Sequence, residues 1–115
     1  MTVVAKRIYA AKASDDGYRV LVDRLWPRGL AKAAAEIDEW AKAVSPSTEL
    51  RKWYGHEPAK FDEFRKRYQA ELAGAEDDLE RLRGLAKRGR VTLLTATAEL
   101  DVSHVAVLKE LLERR

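Results

Sequence analysis

The chain has 115 residues, of which 46% are hydrophobic and 36% charged, and its formal net charge is +3. This length fits one compact domain over residues 1–115, and the hydrophobic content excludes a disordered tail. Cysteine is absent, which excludes disulfides, zinc–thiolate sites and cysteine nucleophiles. With only two histidines and no glycine-rich nucleotide-binding motif, we expect neither a metal site nor a cofactor.

The sequence contains no feature that predicts contact with a membrane. No apolar run approaches the roughly 20 residues that span a bilayer, and residues 1–6 lack the apolar core and cleavage site of a signal peptide. The chain is therefore expected to be cytoplasmic. Its oligomeric state is left open.

The first two predicted elements are strands. Residues 3–9 alternate with β-branched and aromatic side chains, and the turn residues of segment 14–17 separate them from a second strand over residues 18–25. The centre of that strand, residues 20–22, is continuously apolar, which is typical of a strand covered on both faces. Pro27 follows and lacks the N–H that a sheet ladder needs.

Four helices are predicted next. The alanine-rich segment 31–44 carries apolar residues at helical spacing, which predicts a helix over part of it. Ser45 and the proline after it predict the cap and first position of a second helix, which ends at Gly55. Two further helices are expected over residues 58–74 and 79–89, each ending at a glycine.

A strand and a helix complete the chain. Residues 90–97 are β-branched, apolar and bounded by turn residues, and residues 105–112 show helical spacing of apolar side chains. The order of elements predicts an α/β fold: a small layered domain with a short, mostly parallel sheet of about three strands, packed by helices.

The segment after the second predicted strand is the first candidate site, because ligands bind beyond the carboxyl ends of strands in open α/β sheets. Arg24 and Arg28 offer planar donor groups suited to phosphate or carboxylate, and Gly29 would let the backbone approach a ligand closely. The alternative is structural, with Asp23 paired to an arginine and Trp26 packed in the core.

The junction between the last strand and the last helix is the second candidate site. If Asp101 caps that helix, the N–H groups of residues 102–104 lie in its first turn, where unsatisfied donors and the helix dipole favour an anion. His104 could donate to a phosphate or exchange a proton near neutral pH. Additional hydroxyl donors are Thr95, Thr97 and Ser103. The alternative is an ordinary capped helix, and the charge of Asp101 itself opposes an anion.

A third candidate lies in the helix before Gly55. Arg51 and Tyr54 are three residues apart and share a helix face, and His56 follows on a connection, where functional residues concentrate. Basic side chains beside aromatic rings could stack on nucleic-acid bases, although aromatic residues at helical spacing also form cores.

Four segments resemble a known family: residues 20–29, 45–56, 64–68 and 91–94. They are similar to the short, YeaO-like branch of the domain of unknown function family 488, and the resemblance covers nearly the whole chain. The resemblance implies no particular reaction, since the family has no settled biochemical activity.

The longer branch of that family adds an expectation about the site. Its members carry an Asp-Val-Arg-x-x-Pro strand end, which Arg24 and Pro27 match, and two cysteines that correspond to Thr95 and Ser103. His104 matches the histidine that follows the second cysteine. The resemblance therefore implies a shared geometry of arginine, hydroxyls and histidine, without the thiol or metal chemistry that cysteines would support.

Three functions are consistent with these residues. The first is binding of a small phosphate- or nucleotide-like anion by Arg24 and Arg28, with His104 or His56 handling protons in a hydrolase or transferase reaction. The alternative is a nucleic-acid-binding or regulatory module that uses the basic 51–67 helices, in keeping with an isoelectric point of about 9.3. A third is an interaction subunit, which would require the tryptophans Trp26, Trp40 and Trp53 to cluster on the surface.

Overall fold

Four parallel strands form one sheet, in the order β1-β4-β2-β3, in the computed structural model, which describes residues 1–114. The strands are β1 (Thr2–Arg7), β2 (Tyr18–Leu21), β3 (Glu39–Trp40) and β4 (Arg90–Thr95). The helices are α1 (Lys32–Ala35), α2 (Thr48–Tyr54), α3 (Phe61–Leu72), α4 (Glu76–Arg88) and α5 (His104–Glu113). The prediction of an α/β fold with parallel pairing is confirmed, and the sheet has four strands rather than three. Arg115, the last residue of the expected domain, lies outside the described residues.

The two central strands, β2 and β4, are covered on both faces, as their apolar sequences predict. Val20 and Leu93 face one hydrophobic cluster, whereas Leu21 and Leu94 face a second cluster on the other side of the sheet. All four side chains have no exposed surface. Consecutive strand residues point to opposite faces, so a continuous apolar run can serve two cores at once.

Helices form the thicker layer, on one face of the sheet. Along α3, Phe64, Tyr68 and Leu72 are buried at helical spacing, and they join the cluster to which α4 and α5 also contribute. The hydroxyl of Tyr68 donates to the carbonyl of Val44, which satisfies a buried polar group. None of the helices described within residues 1–114 is long and apolar enough to cross a membrane.

The opposite face is covered by irregular chain rather than by a long helix. Trp26 and Trp40 meet edge to face with ring centroids 5.2 Å apart and pack against the second cluster, which contains Ile8, Leu21, Ala35 and Leu94. Trp53 packs against the first cluster instead. The three tryptophans therefore do not form one surface cluster.

The prediction of a helix within segment 31–44 is right only for four residues. The helix α1 stops where the buried guanidinium of Arg19 binds its last carbonyls, with Nη2 3.1 Å from Ala35 O and Nε 2.8 Å from Glu36 O. Glu36 then adopts a left-handed backbone with φ of 49°. The chain continues as β3, which pairs with β2. Tertiary contacts thus override the helical propensity of the alanines.

Two predicted helix caps are wrong by two residues each. Ser47, not Ser45, caps α2, since its hydroxyl accepts from Leu50 N at 3.1 Å. The Ser45 hydroxyl donates instead to Ala41 O at 2.9 Å. Ser103, not Asp101, caps α5, because Asp101 lies in a preceding 3₁₀ turn over residues 100–102.

Gly17 provides a test of how tightly the turn before β2 is packed. Its φ is +68°, and a Cβ there would lie 2.3 Å from Arg90 O, whereas Gly29 has a φ of +75° with nothing within 4 Å of a Cβ. We expect Gly17→Ala to lower the free energy of unfolding by about 3 kcal/mol and Gly29→Ala by about 1 kcal/mol, because only the first adds a backbone clash to the conformational cost. Urea unfolding measures both losses, and equal losses would contradict the close approach of Gly17 to the backbone of Arg90.

Candidate functional site

The carboxyl ends of β2 and β4 meet at the side chain of Asp23. Its Oδ1 accepts from the hydroxyl of Thr95 at 2.7 Å, and its Oδ2 accepts from the backbone N–H of Ala96 at 2.8 Å. The Thr95 hydroxyl in turn accepts from Thr97 N at 3.1 Å. The structure thus brings the two strand-end segments together, as their position at one edge of a parallel sheet requires.

His104 completes this network from the first position of α5. Its Nε2 lies 2.9 Å from Val22 O and 3.1 Å from Asp23 Oδ1, and both of these atoms are acceptors. Nε2 must therefore carry a hydrogen. The residue is 7% exposed, and its ring packs edge to face with that of Tyr68 at a centroid distance of 6.2 Å. Asp23 and Val22 consequently fix both the orientation and the tautomer of the imidazole.

The carboxyl group of Asp23 is held in its charged form. Burial is the largest single influence and raises its pKa, but the hydrogen bond and charge of His104, with the donors of Ala96 and Thr95, lower the pKa further than burial raises it. The net direction is downward from the ordinary value. A carboxyl group that accepts several hydrogen bonds stays deprotonated even when it is mostly buried.

A cavity of about 270 Å³ opens above this network. Its apolar and aromatic lining is Leu25, Pro46, Tyr54 and Phe64, and its hydroxyl lining is Thr48, Thr97 and Ser103. The remaining lining residues are Arg51, Lys52, His56 and His104. No carboxylate is among the lining residues, so the charged part of this surface is entirely cationic.

The two cations come from helix α2. Its first turn is anchored by Glu71, whose carboxylate accepts from Ser47 N at 2.9 Å and from the Ser47 hydroxyl at 2.6 Å. Arg51 and Lys52 follow on the exposed side of the helix, and neither side chain makes a hydrogen bond or ion pair with another residue of the described chain. Both charges therefore remain available to a ligand.

His56 lies at the rim of the cavity in an unusual backbone conformation. Its φ is 58°, and Gly55 before it has a φ of 55°, so two consecutive residues are left-handed. Few residues other than glycine adopt this region, although histidine is among the more tolerant. The imidazole stands 6.4 Å from the ring of Tyr54, measured between centroids.

Five of the predicted site residues line the cavity: Arg51, His56, Thr97, Ser103 and His104. Thr95 lies within the Asp23 network, fully buried. Arg24 is engaged elsewhere, because its Nη2 donates to Ser45 O at 2.8 Å. Arg28 and Gly29 are exposed and are not part of the lining.

The predicted donor set at the last helix is also smaller than expected. Since α5 begins at His104, Val102 belongs to the preceding turn, and its carbonyl accepts from the Tyr54 hydroxyl at 2.6 Å. The hydroxyl of Ser103 accepts from Val105 N at 3.2 Å and donates to Leu100 O at 2.8 Å. Both functions of that hydroxyl are thus used within the protein.

Asp23 is the central residue that sequence reasoning missed, since it was expected only as the partner of an arginine. The structure pairs it with His104 instead. Its position directly after a continuously apolar strand was a usable signal, because an acid at a strand end faces the edge where ligands bind. No comparable signal in the sequence identifies Leu25 and Phe64 as residues that line the cavity, because apolar side chains also form ordinary cores.

Three of the six basic residues in the 51–67 segment form ion pairs with neighbouring acids. These ion pairs are Lys60 with Glu57 at 3.5 Å, Arg67 with Glu63 at 3.1 Å, and Arg65 with Glu110. Cations also approach the ring of Trp53, with Lys60 Nζ at 5.2 Å and Arg67 Cζ at 4.1 Å from its centroid.

Within residues 1–114, no group of three or more histidine, aspartate or glutamate side chains is arranged to hold a metal ion.

The fold and this cavity define a small parallel-sheet α/β protein with a candidate ligand site beyond its strand ends. The family model described as "Inactive DUF488-N3 subclade" matches residues 2–115, and the chain belongs to the DUF488 family. This result confirms the resemblance found in the sequence motifs.

Curated relatives support the same assignment. The chain is 50% identical over 109 residues to the uncharacterized protein Rv3073c of Mycobacterium tuberculosis, an alignment that covers 95% of this chain and 92% of the relative. It is 44% identical over 110 residues to the uncharacterized protein YeaO of Escherichia coli, with 96% of each chain covered. No solved structure matches.

The Asp23 network predicts a specific loss of stability in acid. Because the pKa of Asp23 is lowered in the folded state, the unfolded chain, with a value of about 3.9, takes up the proton first. This contribution is therefore present above about pH 4 and is lost as the pH falls through the lower folded value. Asp23→Asn should cost about 3 kcal/mol at pH 7, because its amide would face a donor, and it should remove this part of the acid dependence.

Urea unfolding between pH 7 and pH 3 measures both effects. The curves of wild type and variant should converge toward acid pH. Asp16 also has a lowered pKa and is present in both proteins, so its contribution cancels in the comparison. Curves that stay parallel would contradict the charge state assigned to Asp23.

Proposed function

We propose that the cavity at the carboxyl ends of β2 and β4 binds a small organic anion. The observation that carries this proposal is the charge of the lining, where Arg51 and Lys52 are unpaired cations and no carboxylate is present. A cleft lined by charge of one sign raises the local concentration of ligands of the opposite sign. An unpaired guanidinium also offers several donors in the geometry that phosphate and carboxylate accept.

The rest of the lining suits a ligand that carries an apolar group beside its charge. Tyr54, Phe64 and Leu25 form the apolar part of the wall, and Thr48 and Thr97 place hydroxyls in the same cavity. Pockets for small molecules commonly combine apolar walls with a few polar groups that fix orientation. A phosphate ester of a planar or apolar alcohol has this combination of properties.

We propose binding rather than covalent catalysis. Thr95 shares Asp23 Oδ1 with His104, and Ser103 precedes His104 in the chain, which makes their hydroxyls candidate nucleophiles. Each of them donates its hydrogen to another protein atom, Asp23 Oδ1 and Leu100 O respectively. A nucleophile must instead be hydrogen-bonded to its activating base. The description of the matching subclade as inactive is in keeping with this proposal. The histidines His104 and His56 would then contact the ligand without reacting with it.

Nucleic-acid binding by the 51–67 segment receives less support. Of its six basic residues, Lys60, Arg65 and Arg67 form ion pairs with nearby glutamates. Pairing of this kind reduces the number of phosphates that the surface could neutralise. This function remains a prediction that a gel-shift experiment at low salt would test.

Binding of phenyl phosphate, followed by isothermal titration calorimetry, tests the proposed site. Phenyl phosphate presents an anion and an aromatic ring together, so the wild-type protein should bind it. Arg51→Ala should weaken binding about three- to tenfold, because it removes a charge-assisted hydrogen bond from the cavity.

Lys66→Ala is the matched control. Lys66 is exposed on α3, carries the same charge and does not line the cavity, so its removal should leave the affinity within about twofold. Equal weakening by both substitutions would show a general electrostatic effect, and the absence of binding by the wild type would overturn the proposed function.

A further inference from the structure

Leu25 is a large apolar side chain that stands exposed at the cavity. It is 58% exposed, the highest value among the large hydrophobic residues of the described chain, ahead of Met1 at 47% and Tyr9 at 46%. Single apolar residues are common on protein surfaces and do not by themselves indicate a ligand. Leu25 differs from the other two because it lines the cavity to which the proposed function assigns an anion. Its exposed apolar surface is therefore available to a ligand in that cavity.

The chain on both sides of Leu25 is held by side-chain hydrogen bonds. Nη2 of Arg24 donates to Ser45 O at 2.8 Å, and Nε1 of Trp26 donates to Leu30 O at 2.6 Å. Trp26 also packs against the second hydrophobic cluster. These contacts fix the position of Leu25 in the folded protein before any ligand binds. A contact that is already in place costs less ordering when the ligand arrives.

The buried and exposed parts of the cavity lining differ in chemical character. Tyr54 and Phe64 are 5% and 2% exposed, and their rings stack with centroids 4.5 Å apart, so they supply apolar surface in the interior. Arg51 and Lys52 are exposed and supply the charge. Leu25 is the one apolar side chain of the lining that is exposed.

An anion that carries an apolar group can therefore contact Leu25 in addition to the cations. Covering the exposed part of a leucine side chain removes apolar surface from water, which favours binding in proportion to the area covered. An anion without an apolar group leaves this surface in water. The difference depends on the apolar part of the ligand alone, so it is the same whatever the charge of His104.

We propose, on the basis of the anion-binding function above, that Leu25 is a specificity-determining residue of this cavity, and that it selects phosphate esters with an aromatic or other bulky apolar group over phosphate esters without one. Arg51 then recognises the charge that all such esters share, and Leu25 recognises the group that distinguishes them.

The test compares phenyl phosphate with methyl phosphate at pH 8.0 and constant ionic strength, followed by the chemical shifts of the amides of Thr97 and Ser103. Both ligands carry the same head group, which is doubly ionised at this pH because its second pKa is about 6. The wild type should bind phenyl phosphate about tenfold more tightly than methyl phosphate. Leu25→Ala should weaken phenyl phosphate about fivefold and methyl phosphate less than twofold.

Two further variants separate specificity from charge and from structure. Leu25→Met keeps an apolar side chain of similar volume and should keep the wild-type preference within about twofold. Arg51→Ala removes a contact that both ligands share, so it should weaken both about equally and leave the preference in place. Because Leu25 is exposed, Leu25→Ala should unfold within about 3 °C of the wild type.

The outcomes distinguish this inference from the function on which it rests. If the wild type binds both esters equally, the role of Leu25 is wrong while the anion site stands. If Leu25→Ala keeps the full preference, or weakens both esters equally, Leu25 does not determine specificity. If neither ester binds to the wild type, the proposed function fails and the inference fails with it.

Discussion

A single carboxylate joins the elements that form the candidate site. Asp23 receives hydrogen bonds from Thr95 and Ala96 at the end of β4 and from His104 at the start of α5. Its side chain is 14% exposed, so its charge would be costly without these donors. These three hydrogen bonds connect the chain after β2 to the end of β4 and to the start of α5, where the backbone pairing of the sheet ends. The contacts that compensate the charge are therefore also the contacts that orient the ring of His104.

The elements that the sequence predicts well are those whose information is local. The strands β2 and β4 are short apolar runs, and α3 and α5 bury residues at helical spacing, so their existence follows from periodicity. Segment 31–44 fails this reasoning because its structure depends on Arg19, a residue far away in the chain. That guanidinium is buried and accepts no bond itself but donates to the carbonyls that would continue the helix. No local pattern in the sequence predicts such a contact.

The location of the site is easier to predict than the residues that form it. A parallel sheet collects its strand ends at one edge, which is enough to bring the segments after β2 and β4 together. Which side chains face that edge depends on the hydrogen-bond partners that the three-dimensional structure offers each of them. Arg24 carries the more obvious anion-binding group, yet it turns to the carbonyls of Ser45 and Pro46, while Asp23 beside it faces β4 and α5. The charge of a side chain alone therefore does not predict which of two adjacent charged residues faces the candidate site.

The absence of cysteine has its clearest consequence at Thr95 and Ser103, the positions where longer relatives are expected to carry thiols. Both hydroxyls are fully used, Thr95 as a donor to Asp23 and Ser103 as the cap of α5. A hydroxyl makes stronger hydrogen bonds than a thiol, so the replacement strengthens the network that holds His104 and removes the reactive groups next to it. The groups that orient the imidazole are Val22 O and the carboxylate of Asp23, so its geometry does not depend on a nucleophile at either position.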